Sequence, residues 1–287
     1  MKVKVEIYSD DDYKAECIRS DLIITSVIMA LFQIAYAFFD SQYYATVFCW
    51  LAFLSVIFFQ SFLYTRFGIE FLRRRVSSRA ILMGYFIIGL TMFMLSSVIV
   101  HSKKVFDPIF YMFILLILSL LLGILAGLFF SDKAILFNNS KYVKIRNNEI
   151  EIRKIDLFGI LTLKRMPFLR APLIKFRNII SILAVLIGTG GAGIGMGIAE
   201  MLKRSDVLAP DMSVHAVLFF SVGIPLLFVL GILIYSTMTY LSEWRKLVAS
   251  IDKEYGEHVI IYNSKKKSYK KIKEIMAEKS LNTSCEG

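Results

Sequence analysis

The run of this chain richest in residues that could do chemistry is Gly188-Thr189-Gly190-Gly191-Ala192-Gly193-Ile194-Gly195-Met196-Gly197. Gly188, Gly190 and Gly193 have the GxGxxG spacing, in which bare backbone N–H groups can close around a pyrophosphate at the start of a helix. Ile182 to Ile187 in front could pass for a strand, and Ile194 to Lys203 behind could pass for a helix. A dinucleotide fold needs further strand and helix units. The next long segment, Val214 to Leu241, is instead a continuous apolar stretch with a short tail after it. The economical reading is a packing face: Gly191 with Gly195 and Gly193 with Gly197 repeat at four residues, which lets two membrane helices meet backbone to backbone. Gly188, Gly191, Gly193, Gly195 and Gly197 are the candidate packing residues, with no cofactor expected.

Over Gly188 to Gly197 this ladder resembles the inner helices of the c-rings of rotary ATP synthases. The resemblance implies close helix packing, within the chain or between subunits. The ion-binding carboxylate of that family has no counterpart in Val214 to Leu241. Other residues that could act are sparse. Gln33, Gln60, Thr189 and His215 are the polar side chains within or at the edge of long apolar stretches, where an interhelical hydrogen bond is their usual task. His101, His215 and His258 fall in different segments, so no metal site or catalytic cluster is expected. Cys17, Cys49 and Cys285 show no ligand spacing and no expected disulfide. Asp10, Asp11 and Asp12 sit where a helix would begin, and their charge suits its dipole. Gly223 and Pro225 are a candidate kink or gate, since proline removes a backbone donor. Arg73, Arg74, Arg75, Lys265, Lys266 and Lys267 are candidate contacts to anionic lipid.

The elements that must position these residues are dictated by hydropathy. With 56% hydrophobic and 20% charged residues, the chain is too apolar for water. A hydrocarbon core of about 30 Å takes roughly 20 residues of helix. Six candidate spans are Leu22 to Phe39, Tyr43 to Leu63, Ala80 to Val100, Pro108 to Phe130, Ile179 to Ala199 and Val214 to Leu241. Their loops alternate in charge. Arg66, Arg73 to Arg75 and Arg79, the stretch Lys133 to Arg177, and the tail lysines Lys265 to Lys267, Lys270, Lys271 and Lys273 fall on one side. The positive-inside rule puts that side, and both termini, in the cytoplasm. The net charge of +11 is accounted for by these flanks, and nucleic acid is not an expected partner.

Outside the lipid the chain has its own order. Lys2 to Tyr8 alternates like a strand, and a helix is expected from Ser9 and the aspartates to Asp21. Tyr142 to Arg146 and Glu149 to Arg153 flank the turn pair Asn147-Asn148, predicting a hairpin that sets Ile145 against Ile150, Val143 against Ile152, Arg146 against Glu149 and Lys144 against Glu151. A turn at Asp156 to Gly159 leads to a further run, Ile160 to Arg165, and His258 to Tyr262 is another β-rich stretch. A lone hairpin is marginal. The expected solution is a small β-domain that draws in the terminal strands. Lys266 to Lys279 reads as an amphipathic helix lying on the membrane or on that domain, with frayed residues after it.

The expected whole is an all-α bundle of six transmembrane helices with a small cytoplasmic β element. It comprises an N-terminal segment (1–21), spans one to four (22–130), a β-containing domain (131–177), spans five and six (178–242) and a basic tail (243–287). The expected role is a non-enzymatic anchor, sensor or scaffold in the inner (plasma) membrane. Its partners would be lipids, copies of itself or another membrane subunit, and a soluble cytoplasmic protein. The alternative is an oligomeric pore lined by spans five and six; a lipid enzyme or nucleotide binder ranks lower.

Overall fold

The computed structural model describes residues 6–8, 15–38, 43–68, 75–100, 108–133, 142–159 and 223–285, together with positions 137, 161, 175, 197, 200, 201 and 203–205. Six long helices appear among them: α1 (Ala15–Ala37), α2 (Tyr43–Leu63), α3 (Arg75–Ile99), α4 (Pro108–Phe130), α5 (Ile224–Tyr255) and α6 (Tyr269–Cys285). The first five are long and apolar enough to cross a bilayer. Their outward faces expose Ile24, Leu31, Leu54, Phe58, Leu121, Leu125 and Leu128. An apolar surface this continuous suits lipid as its solvent. Apart from Gly197, the expected fifth span lies outside the described residues, as does the start of the sixth.

Contacts fix the direction of each helix. Leu63 meets Leu22 in one buried cluster and Cys49 meets Ala37 in another, so α2 runs opposite to α1. Ser26 pairs with Tyr85 and Gln33 with Ser96, so α1 and α3 run the same way. Gly84 faces Thr237, while Val76 and Ala80 share a cluster with Tyr240 and Trp244, so α5 opposes α3. Along α4, Ser119, Gly123 and Gly127 meet Ile224, Phe228 and Tyr235 in that order, so α4 and α5 are parallel. The starts of α1 and α3 and the ends of α2, α4 and α5 thus gather at one end of the bundle.

At that end sits a four-stranded sheet of β1 (Glu6–Tyr8), β2 (Val143–Arg146), β3 (Glu149–Ile152) and β4 (Val259–Tyr262), in the order β1-β4-β3-β2. The hairpin has the expected register, Val143 opposite Ile152 and Arg146 opposite Glu149. Its turn takes a positive φ at Asn147, a residue that tolerates the left-handed region better than most. β4 pairs in parallel with both β3 and β1, so both terminal strands join the hairpin as expected. Of the run after the turn, 160–165, only Leu161 is among the described residues, and it forms an isolated bridge to Ser131.

Three sequence readings change in physical detail. α1 passes without a break through Asp21, and α5 continues past Leu241 to Tyr255, so helices cross both expected boundaries between lipid and water segments. The run of arginines expected to contact lipid ends at Arg75 in the first turn of α3, beside which Val76, Ser77 and Ser78 are buried. Val76 is drawn in because α5 and the sheet cover that face. The C-terminal helix lies on the sheet and runs to Cys285, beyond the expected Lys279.

Candidate functional site

The glycine seam of the bundle is not where the sequence points most loudly. Gly123 and Gly127 lie four residues apart on α4; Gly123 faces Gly231 of α5, and Gly127 faces Tyr235. A Cβ on Gly123 would come 2.9 Å from the Phe228 carbonyl carbon, and one on Gly231 would come 2.9 Å from the Ile124 nitrogen. Only hydrogen fits there. The Ser119 hydroxyl extends the seam by donating to the Ile224 carbonyl at 2.7 Å. The signal was legible as the sequence Gly-Ile-Leu-Ala-Gly at 123–127, but the denser run at 188–197 overshadowed it. Of the predicted ladder, Gly188, Gly191, Gly193 and Gly195 lie outside the described residues, and Gly197 is helical and exposed. Gly223 keeps helical dihedrals, and Pro225 occupies the first turn of α5, where its missing N–H is least costly.

From this seam α5 continues into the sheet layer as one helix of 32 residues, about 48 Å at 1.5 Å per residue. Tyr240, Trp244, Val248 and Ile251 pack on the apolar face of the sheet, made by Val143, Ile150, Ile152, Ile260 and Tyr262. The turn at Asp156 to Gly159 wedges between the two bodies. Its Leu157 carbonyl accepts the buried Ser236 hydroxyl at 2.8 Å, and Phe158 packs on both the sheet core and the bundle core. Beyond α5, Gly256 caps the helix with φ +75° and donates to the Asp252 carbonyl. The His258 Nδ1 then pairs with Asp252 at 2.6 Å and pins the return into β4.

The other face of the sheet carries charge. Glu151 is almost wholly buried, receives Nε–H of Arg153 and Nδ2–H of Asn263 at 2.8 Å each, and lies 3.6 Å from Arg146. Burial alone would raise its pKa. Those hydrogen bonds and the two guanidinium charges outweigh it and hold the carboxyl below its ordinary range. Asn263, also buried, closes a loop by bonding both the N–H and the carbonyl of Lys267. Over this face lies α6. Ile272 is fully buried, the Tyr269 hydroxyl donates to Glu149 at 2.8 Å, Lys273 pairs with the same carboxylate, and Arg146 stacks on the Tyr269 ring at 4.1 Å. The glutamate keeps the Lys273 ammonium above its usual pKa.

No family model, curated protein or solved structure matches this chain. The arrangement must therefore be read from its own residues.

Inside the bundle the polar side chains serve as interhelical bonds. Ser26 is shared by Gln60 at 2.9 Å and Tyr85 at 2.8 Å, and Ser96 donates to Gln33 at 2.7 Å. Thr189 and His215 lie outside the described residues. Of the predicted lipid contacts, Arg73 and Arg74 lie outside them too, and Arg75 opens α3. Lys265 and Lys266 are exposed in the turn between β4 and α6, and Lys267 is half-buried against Asn263. β3 leads towards the bundle through Leu157, and β4 is parallel to it, so this lysine turn emerges at the bundle-facing edge of the sheet. Sequence reasoning missed Tyr240, Trp244 and Val248 as sheet-packing residues. Their 3.6-residue spacing continues the apolar pattern of the span, so the signal looked like membrane.

Proposed function

We propose that this chain is a non-enzymatic scaffold or sensor subunit of the inner (plasma) membrane, in which a six-span bundle holds and orients a cytoplasmic α/β layer. One observation carries the reading: α5 belongs at once to the glycine seam and to the core of the sheet, so one continuous helix ties the layer to the bundle. A membrane stimulus that shifts α5 along α4 would shift the sheet with it, since packed cores respond as discrete rigid bodies. An anchor for a partner would draw on the same stiffness.

The parallel course of α4 and α5 supports the sixth crossing. A chain that leaves α4 at the sheet end and enters α5 from the other direction has to return in between, and Ile179 to Ala199 has the length and apolarity to do so. The basic residues near the sheet end support a cytoplasmic location. The edge strand β2, with Ile145 exposed, offers a surface for a soluble partner.

The test combines topology with transport. In cells, Lys271→Cys is expected to react with a membrane-impermeant thiol reagent only after permeabilisation, and Arg204→Cys without it. In liposomes the purified protein is expected to pass no ions. Ion flux lost in Gly231→Leu would favour a pore instead, and labelling of Lys271→Cys from outside would overturn the orientation.

A further inference from the structure

An apolar groove of about 560 Å³ opens between α1 and α3 on the lipid-facing side. Its walls are Ile24 from α1 and Leu82, Met83 and Phe86 from α3. Its end nearest the sheet is polar: Asp21 and Thr25 come from α1, Arg79 comes from the first turns of α3, and Leu157 lies beside them from the wedge that joins the sheet to the bundle. Because α1 and α3 run the same way, the carboxylate and the guanidinium sit at the same level. On the reading that the sheet end lies at a membrane surface, that level is where headgroups begin. Both side chains are exposed, and among the described residues neither is in a salt bridge.

We infer that this groove is a binding site for a zwitterionic aminophospholipid, with one acyl chain along Ile24, Leu82, Met83 and Phe86, the phosphate on Arg79 and the primary ammonium on Asp21. Charge complementarity selects this occupant. A guanidinium binds phosphate oxygens through paired N–H donors. A lone cation would take any anionic lipid, but the carboxylate beside it repels a headgroup carrying net negative charge. A choline headgroup carries the right charges, yet its quaternary nitrogen has no proton to donate to Asp21. A primary ammonium satisfies both partners. The site would also make the lipid a reporter of α1 and α3 position next to Leu157, where bundle and sheet meet. This inference rests on the reading that the sheet end of the bundle lies at a membrane surface.

The test is native mass spectrometry of the full-length protein released from nanodiscs of phosphatidylethanolamine, phosphatidylcholine or phosphatidylglycerol, with thermal unfolding in each. Preferential retention of phosphatidylethanolamine is expected. Arg79→Gln should weaken that retention about fivefold, the scale of one basic residue at a headgroup. Asp21→Asn should leave phosphatidylcholine and phosphatidylethanolamine retained alike. Lys246→Gln, an exposed change elsewhere on α5, should alter neither. A membrane-inserted protein that holds the three lipids equally, or whose preference survives both groove variants, overturns the groove assignment and leaves the membrane reading standing. A protein that fails to enter nanodiscs overturns both.

Discussion

Replacing Gly123 by alanine puts one methyl group into the backbone contact between α4 and α5. Alanine gains about 0.8–1 kcal/mol over glycine in a helix interior. Against that, the new Cβ would lie 2.9 Å from the Phe228 carbonyl carbon and closer still to its oxygen. Carbon atoms rest at about 3.5–4.0 Å and the oxygen is the tighter contact, so α4 and α5 must separate by about 1 Å or more along a seam that both bodies share. Overpacking of this kind costs about 1–3 kcal/mol, and the displaced seam also strains the Ser119 to Ile224 hydrogen bond. The net expectation is a loss of about 1–2 kcal/mol. Gly84 is the control: its Cβ would meet Thr237 Cγ2 at 3.5 Å, an ordinary contact, so Gly84→Ala should be neutral or slightly stabilising. Unfolding in detergent micelles, followed by the fluorescence of the buried Trp244, should therefore separate the two variants by about 1–3 kcal/mol. Gly231→Ala should behave like Gly123→Ala. Equal stability of Gly123→Ala and Gly84→Ala would refute the seam, and with it the rigid coupling of bundle and sheet.

Truncating Trp244, which is 3% exposed at the centre of the sheet core, is expected to cost about 3–5 kcal/mol and to expose the 142–159 backbone to rapid hydrogen exchange while the bundle stays protected. Glu151 has a depressed pKa in the folded protein, so its stabilisation is present above the ordinary glutamate value and is lost as the pH falls through the depressed one. Acid titration of Trp244 fluorescence should show this loss in the parent chain, whereas Glu151→Gln should start less stable at neutral pH and show a smaller further loss. Lys273 has a raised pKa, so its contribution is complete below the ordinary lysine value and fades as the pH rises through the raised one. Limited proteolysis should accordingly release α6 in strong alkali, and Lys273→Met should release it at neutral pH.

The hairpin was legible because local pairing and core patterning agree: every cross-strand pair between Val143 and Ile152 follows from the two-residue turn. The membrane helices were legible for a different reason. Lipid demands a long uncharged run within one segment, and that demand is local. The interhelical bonds of Gln33 and Gln60 were legible as a need for partners, whereas the partners Ser96 and Ser26 were not, since nothing local pairs residues 63 or 34 positions apart. Boundaries were obscured where one helix serves two solvents. α5 keeps the same apolar period from Leu227 to Ile251, although its first half meets helices and its second half meets a sheet.

By itself, the sequence determined where five long apolar helices form and how the hairpin pairs, because hydropathy and turn chemistry act over neighbouring residues. Tertiary structure alone decided that β4 lies between β3 and β1, that Gly231 meets Gly123, and that Asp21 stands level with Arg79. Each of these joins residues far apart in the chain. They are set by which helices run parallel and by which surfaces can approach without a side chain between them, and no local pattern records that choice.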